Sequence, residues 1–103
     1  MRELTLTFAA DHPVAAGHFP GNPIIPGALL LAQALRCIER AWQIAPGPCR
    51  VCSAKFPHPA RPGDRLRIEV SGSPASHVRF SCAVDGVKVL LGEVQWPAPP
   101  ATT

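Results

Sequence analysis

A loop rich in proline and glycine, followed at once by a long apolar segment, constrains this chain more than any other feature. The loop His18–Gly27 reads HFPGNPIIPG and holds three prolines and two glycines in ten residues. Proline fixes its own φ and restricts the residue before it, whereas glycine permits turns that other residues cannot make. Such a loop can hold one side chain in place, and the ionisable side chain within it is the imidazole of His18.

The apolar segment predicts a helix from Ala28 to Trp42. Four polar residues interrupt it, and its first two turns are apolar nearly all round. A helix of this kind is buried within its own domain rather than laid on a surface. A proline–glycine pair suits its first turn, and the sequence Pro46-Gly47-Pro48 is expected to stop it.

The chain predicts one strand before the loop and about four strands after the helix, and all but the short, mixed segment Val51–Phe56 show alternation of apolar and polar residues. The predicted strands are Leu4–Phe8, Val51–Phe56, Leu66–Val70, Val78–Val84 and Val87–Trp96. Asp85-Gly86 is a tight-hairpin signal, and the alternation shifts phase near Gly92, where we expect a β-bulge.

This order of elements predicts an α+β fold in which one antiparallel sheet curls around one central helix. The domain covers residues 1–96, and the proline-rich tail 97–103 is expected to be disordered. A single sheet covers only part of an apolar helix and leaves its own edges open, so we expect a dimer.

Composition narrows the class of protein. The 103 residues contain no apolar run of about 20 and no secretory signal, which predicts a cytoplasmic protein with no membrane insertion. The net charge of +3 is dispersed and tyrosine is absent, which argues against nucleic acid as a partner. Cys49-x-x-Cys52 is half of a zinc signature without a second half, so we expect no metal and no cofactor, with the cysteines reduced.

Two segments carry a family resemblance. Gly17–Leu30, GHFPGNPIIPGALL, resembles the active-site segment of β-hydroxyacyl-(acyl-carrier-protein) dehydratases of the FabA/FabZ type. Ala54–Leu66 is similar to that family's strand, proline–glycine–aspartate turn and next strand, and Asp85-Gly86 falls where the family has its last hairpin. The resemblance spans about residues 4–96 and implies the hotdog fold, in which a sheet wraps around a long central helix.

The resemblance also implies a reaction and its residues. His18 would be the general base that removes a proton α to a thioester carbonyl, and the backbone N–H of Gly27 would polarise that carbonyl. Residues expected at the substrate are Phe19, Pro26, Ala32 and Gln33. The implied partner is an acyl thioester of acyl-carrier protein or coenzyme A, bound by a homodimer or a higher oligomer of dimers.

The chain departs from the family at the helix acid. That acid lies fourteen positions after the histidine, where this chain has Ala32. Gln33 is adjacent but not acidic, and Glu39 lies about 10 Å farther along the helix axis. Three functions therefore stay open: a dehydratase-type enzyme without the usual acid, a non-catalytic thioester- or carrier-binding module, and a hotdog thioesterase in which Gln33 positions a water.

Overall fold

The computed structural model describes residues 2–8, 24–44, 48–73 and 77–96. Within these ranges the chain forms one helix and one antiparallel sheet of five strands in the order β1-β3-β4-β5-β2. The elements are β1 Arg2–Thr7, α1 Gly27–Trp42, β2 Arg50–Lys55, β3 Arg65–Gly72, β4 His77–Val84 and β5 Val87–Gln95. This confirms the predicted order of one strand, one helix and four further strands.

The core lies between the helix and one face of the sheet. Alternate residues of the central strands point to the helix, as the period of two predicts. The buried side chains on β3 and β4 are Leu66, Ile68, Val70, Val78, Phe80 and Cys82. The helix meets them with Leu30, Ala34 and Ile38, which are spaced four residues apart and are fully buried.

The helix is not covered on all sides by its own chain. Ala28, Ala32, Arg36 and Arg40 recur every four residues and form a stripe that is exposed along the whole helix. One sheet covers only one face of the helix, as expected from the sequence, and the opposite stripe stays exposed in the single chain. We call these four residues the exposed helix stripe.

The helix ends at Trp42, as predicted. Gln43 adopts the left-handed conformation with φ 54°, and its N–H donates to the carbonyl of Arg40 across 3.3 Å. The N–H of Ile44 donates to the carbonyl of Glu39 across 2.9 Å, so the last turn closes on itself. The helix thus stops before Pro46, which lies outside the described residues.

The hairpin turn is confirmed, but the predicted bulge is wrong in position. Asp85 and Gly86 have φ of 50° and 82°, the pair of positive values that a two-residue hairpin turn requires. The register of β4 and β5 shifts between Cys82 and Ala83, opposite Val89 rather than at Gly92. Gly92 is regularly paired, and a Cβ there would lie 2.4 Å from Cζ of Phe80, so glycine is needed to make room for that ring.

The structure does not test the predicted disorder of the tail, and it tests the prediction of no membrane span only over the described residues. The tail 97–103, predicted to be disordered, falls outside the described residues, as does most of the Pro/Gly loop. Among the described residues, no helix combines the length and apolar character that crossing a bilayer requires.

Candidate functional site

The amino-terminal end of α1 is a site of positive potential. Pro26 stands at the N-cap and has no side-chain acceptor, and the first turn contains no acidic residue. Within the described part of the chain, no side chain caps the helix. Free N–H groups at a helix start, together with the positive end of the helix dipole, favour a negatively charged or polarised oxygen. Gly27, the first helical residue, presents the first of these N–H groups.

A cavity of about 300 Å³ opens at this helix end. The described residues that line it are Ile24, Ile25, Gly27, Leu30, Phe56, Pro57, His58, Pro59 and Ala60. Most of these side chains are apolar, and none carries a carboxylate. The cavity therefore suits an apolar chain whose polar end reaches the helix N–H groups.

Backbone hydrogen bonds fix the walls of the cavity. The N–H of Ile25 donates to the carbonyl of Ala60 across 2.8 Å, which ties the end of the Pro/Gly loop to the β2–β3 connector. The connector itself is held by a turn at Gly63, whose N–H donates to the carbonyl of Phe8 across 2.9 Å. Gly63 has φ 91°, so the predicted proline–glycine–aspartate turn needs its glycine.

Gly27 is packed closely against an aromatic ring. A Cβ at Gly27 would lie 3.2 Å from Cε1 and Cζ of Phe56. The ring of Phe56 can approach the helix start this closely because residue 27 has no side chain. Phe56 itself is 44% exposed, so it forms the outer rim of the cavity rather than part of the core.

Of the site residues predicted from the sequence, some lie at the cavity, some lie away from it, and two lie outside the described residues. His18 and Phe19 lie outside the described residues. Gly27 lines the cavity, and Pro26 precedes it as the N-cap residue. Ala32 lies on the exposed helix stripe, and Gln33 is half-buried. Neither Ala32 nor Gln33 is among the described residues that line the cavity.

Sequence reasoning missed His58, which lines the same cavity as Gly27. Its Nδ1 lies 3.2 Å from the carbonyl oxygen of Lys88. Since a carbonyl only accepts, this contact favours the tautomer with the proton on Nδ1 and leaves Nε2 free. The signal was present in the sequence: His58 stands between Pro57 and Pro59, in a connector as constrained as the loop of His18.

Glu39, the acidic residue of the helix, is engaged elsewhere. Its Oε2 accepts a hydrogen bond of 3.1 Å from Nε1 of Trp96, whose indole is 2% exposed. Glu39 also lies in the last turn of the helix, at the opposite end from Gly27. The side chain is therefore held away from the cavity.

Comparisons with a family model and with curated proteins both indicate a dehydratase family. The model of the ApeI-like family, described as ApeI dehydratase, matches residues 1–93. A 3-hydroxyacyl-[acyl-carrier-protein] dehydratase FabZ of Brucella melitensis is 38% identical over 97 aligned positions, which cover 82% of this chain and 61% of that protein. The chain thus spans less than two thirds of the length of the first curated relatives it matches.

Solved structures share the fold. The dehydratase heterocomplex ApeI:P from Xenorhabdus doucetiae matches with a TM-score of 0.69 and 21% identity, covering 90% of this chain and 83% of that one. An (R)-hydratase from A. caviae involved in PHA biosynthesis matches with a TM-score of 0.63 and 20% identity, covering 93% of both chains. These structures confirm the predicted hotdog fold.

Proposed function

The chain belongs to the ApeI-like dehydratase family, a family of the FabA/FabZ type, and on this basis we propose that it interconverts a 3-hydroxyacyl thioester and the corresponding 2-enoyl thioester. The acyl group is carried by acyl-carrier protein or coenzyme A. The observation that supports this most directly is the uncapped helix start at Gly27, which opens onto a largely apolar cavity. In the proposal, an acyl chain occupies the cavity and its thioester carbonyl faces the helix N–H groups.

Removing a proton α to a thioester carbonyl places negative charge on the carbonyl oxygen. A preorganised N–H donor lowers that barrier because it stabilises the charge as it develops. In the proposal, the N–H of Gly27 and the dipole of α1 provide this stabilisation. His18, nine residues before Gly27, is the proposed base that takes the α proton. A neutral imidazole suits this step near neutral pH.

The second half of the reaction needs a proton donor. The C–O bond at the β carbon breaks as the carbon–carbon double bond forms, and the departing hydroxyl takes up a proton to leave as water. Ala32 has no proton to give, and Glu39 is bonded to Trp96. We propose His58 as the donor, because among the described residues that line the cavity it is the titratable one. His58 would act in its imidazolium form, in which Nδ1–H stays bonded to the carbonyl of Lys88 and Nε2–H gives its proton to the departing hydroxyl, which leaves as water.

We further propose that the chain works as a dimer. The exposed helix stripe supports this, since a second hotdog subunit would cover it. The position of β2 at the edge of the sheet supports it as well, since a strand of a second subunit could pair with β2 there. The heterocomplex of ApeI from Xenorhabdus doucetiae shows a relative in the fold that assembles with a different subunit. For this chain we propose a homodimer. Sedimentation of the purified protein measures its mass in solution, which distinguishes a homodimer from a monomer that pairs with a different subunit.

One observation favours a second candidate, a non-catalytic module that binds acyl thioesters. The described lining of the cavity holds no carboxylate, so the site keeps the binding surface while lacking the usual acid. Thioester hydrolysis has no comparable support, because Gln33 is not among the described residues that line the cavity.

A thioester panel separates these functions. Purified protein is incubated with 3-hydroxybutyryl, crotonyl and longer acyl thioesters of coenzyme A and of a carrier protein, and both interconversion and thiol release are followed. Interconversion without thiol release supports the proposed function. Saturable binding without either reaction supports the binding module, and thiol release would show a thioesterase.

A further inference from the structure

Three side chains of metal-ligand type meet on the outer face of the sheet, away from the helix and its cavity. Cys52, His77 and Glu93 each offer one ligand atom, and these atoms all lie within 4.8 Å of one another. The residues come from β2, β4 and β5, which are neighbours in the sheet with β5 in the middle. Because the hydrogen-bonded ladder fixes the strands, the three side chains are held together by the fold itself.

A β-bulge brings Cys52 to this face. In the pairing of β2 with β5, Val51 lies opposite Val94 and Ser53 lies opposite Glu93, so Cys52 is the extra residue between them. An extra residue of this kind turns its side chain out of the regular alternation. The thiol of Cys52 thereby comes beside the carboxylate of Glu93.

The distances suit a single ion after small rotations. Nε2 of His77 lies 3.9 Å from Oε1 of Glu93. A tetrahedral zinc ion with ordinary bond lengths needs its ligand atoms about 3.4–3.6 Å apart. The side chains of His77 and Glu93 are 50% and 29% exposed, so both have room to close the remaining gap. No residue of the core has to move.

From this arrangement we propose that Cys52, His77 and Glu93 bind a Zn²⁺ ion on the outer face of the sheet. A thiolate, an imidazole and a carboxylate together match the ligand preferences of zinc better than those of calcium or magnesium, which favour oxygen ligands alone. Three protein ligands leave a fourth position for water. The ion links the edge strand β2 to β5 beside it and to β4 beyond, so its first effect is to stabilise the sheet edge.

The site is different from the half zinc signature in the sequence. Cys49 is half-buried and packs against the core, whereas Cys52 is exposed on the opposite side. Burial raises the pKa of the Cys49 thiol, and the carboxylate of Glu39 raises it further. Cys49 therefore serves as a control residue, since it has the same chemistry but lies outside the proposed site.

Arg79 is a competitor for one ligand. Its Nε lies 3.6 Å from Oε2 of Glu93, and the arginine side chain is 76% exposed. Exposed ion pairs contribute little, so a divalent ion can displace the arginine at small cost. We expect Arg79→Ala to bind the ion at least as tightly as the unchanged protein.

Cobalt and zinc titrations test the proposal. Untagged, reduced protein freed of metal with a chelator is titrated with Co²⁺, and absorption in the near ultraviolet reports a bond between cobalt and a thiolate. We expect one equivalent to bind with this band, Zn²⁺ to displace it, and Zn²⁺ to raise the melting temperature. Cys52→Ser should abolish the band, and His77→Ala and Glu93→Gln should weaken binding by about tenfold or more.

Cys49→Ser is the matched control and should bind as the unchanged protein does. Circular dichroism confirms that each variant is folded. The absence of a saturable band in the unchanged protein would overturn the proposal, whatever the variants do. Binding that survives Cys52→Ser, or that is lost in Cys49→Ser, would overturn it as well.

Discussion

The indole Nε1 of Trp96 donates a hydrogen bond of 3.1 Å to Oε2 of Glu39, which joins the residue after β5 to the last turn of α1. The bond gives the acidic residue of the helix a structural partner at the end of the helix opposite Gly27. It therefore bears directly on which groups can act as acid in the proposed reaction.

Replacement of Glu39 tests its structural role. Glu39→Gln keeps an acceptor for the indole, so we expect turnover within about twofold of the unchanged protein. Glu39→Ala leaves a buried indole N–H without its partner, and we expect a loss of about 1–3 kcal/mol in the free energy of unfolding. Urea unfolding and thioester turnover check the pair of variants. A folded Glu39→Gln protein without turnover would identify Glu39 as the acid after all.

Placing a carboxyl at position 32 is the complementary experiment. Ala32→Glu should raise dehydration of a short 3-hydroxyacyl thioester by about tenfold or more, which corresponds to about 1.4 kcal/mol of barrier. In the proposed dimer a second subunit would cover this position, and a carboxyl held there in its protonated form could serve as the general acid. Ala32→Gln is the control of similar size without the proton. Equal, measurable rates in all three proteins would show that another group already supplies the proton.

His58 is that other group in our proposal. His58→Ala should lower the rate of dehydration by about 10²–10⁴-fold, the usual contribution of a general acid or base. His58→Gln can still donate to the carbonyl of Lys88 but cannot act as an acid, so it should be as slow as the alanine variant. Recovery of turnover in the glutamine variant would mean that His58 only positions the β2–β3 connector.

The sequence alone was sufficient for the elements and their order. Alternation located the strands, and Asp85-Gly86 located the last hairpin, because both signals depend on local backbone preferences. The bulge was misplaced at Gly92 because the sequence shows a missing side chain but not its cause, which is the ring of Phe80 across the sheet. Contacts between strands distant in sequence are invisible to a local pattern.

The sequence predicted only that part of the candidate site whose residues are close together along the chain. Gly27 could be named from the loop and helix that adjoin it in the sequence. His58 reaches the cavity through the β2–β3 connector, and Cys52, His77 and Glu93 meet only through sheet pairing. No spacing along the chain connects these residues, so only the fold could bring them together.

The buried thiol of Cys82 predicts a loss of stability at high pH. Burial raises the pKa of Cys82 from 9.0 to about 12, with a smaller contribution from nearby Cys37. Because the folded pKa exceeds the unfolded one, the contribution to stability is complete below pH 9 and declines as the pH rises toward 12. Urea unfolding of the unchanged protein and of Cys82→Ala at pH 8 and about pH 10.5 measures this difference. An equal decline in both proteins would mean that Cys82 is not its source.

The most direct test of the proposed function is the rate at which the unchanged protein and His18→Ala interconvert crotonyl and 3-hydroxybutyryl thioesters. We predict measurable interconversion by the unchanged protein, and a decrease of about 10²–10⁴-fold in a His18→Ala variant whose circular dichroism and melting temperature match the original. A folded His18→Ala protein that works at the unchanged rate would contradict the account, because the chain would then share the fold of the dehydratases without using their base.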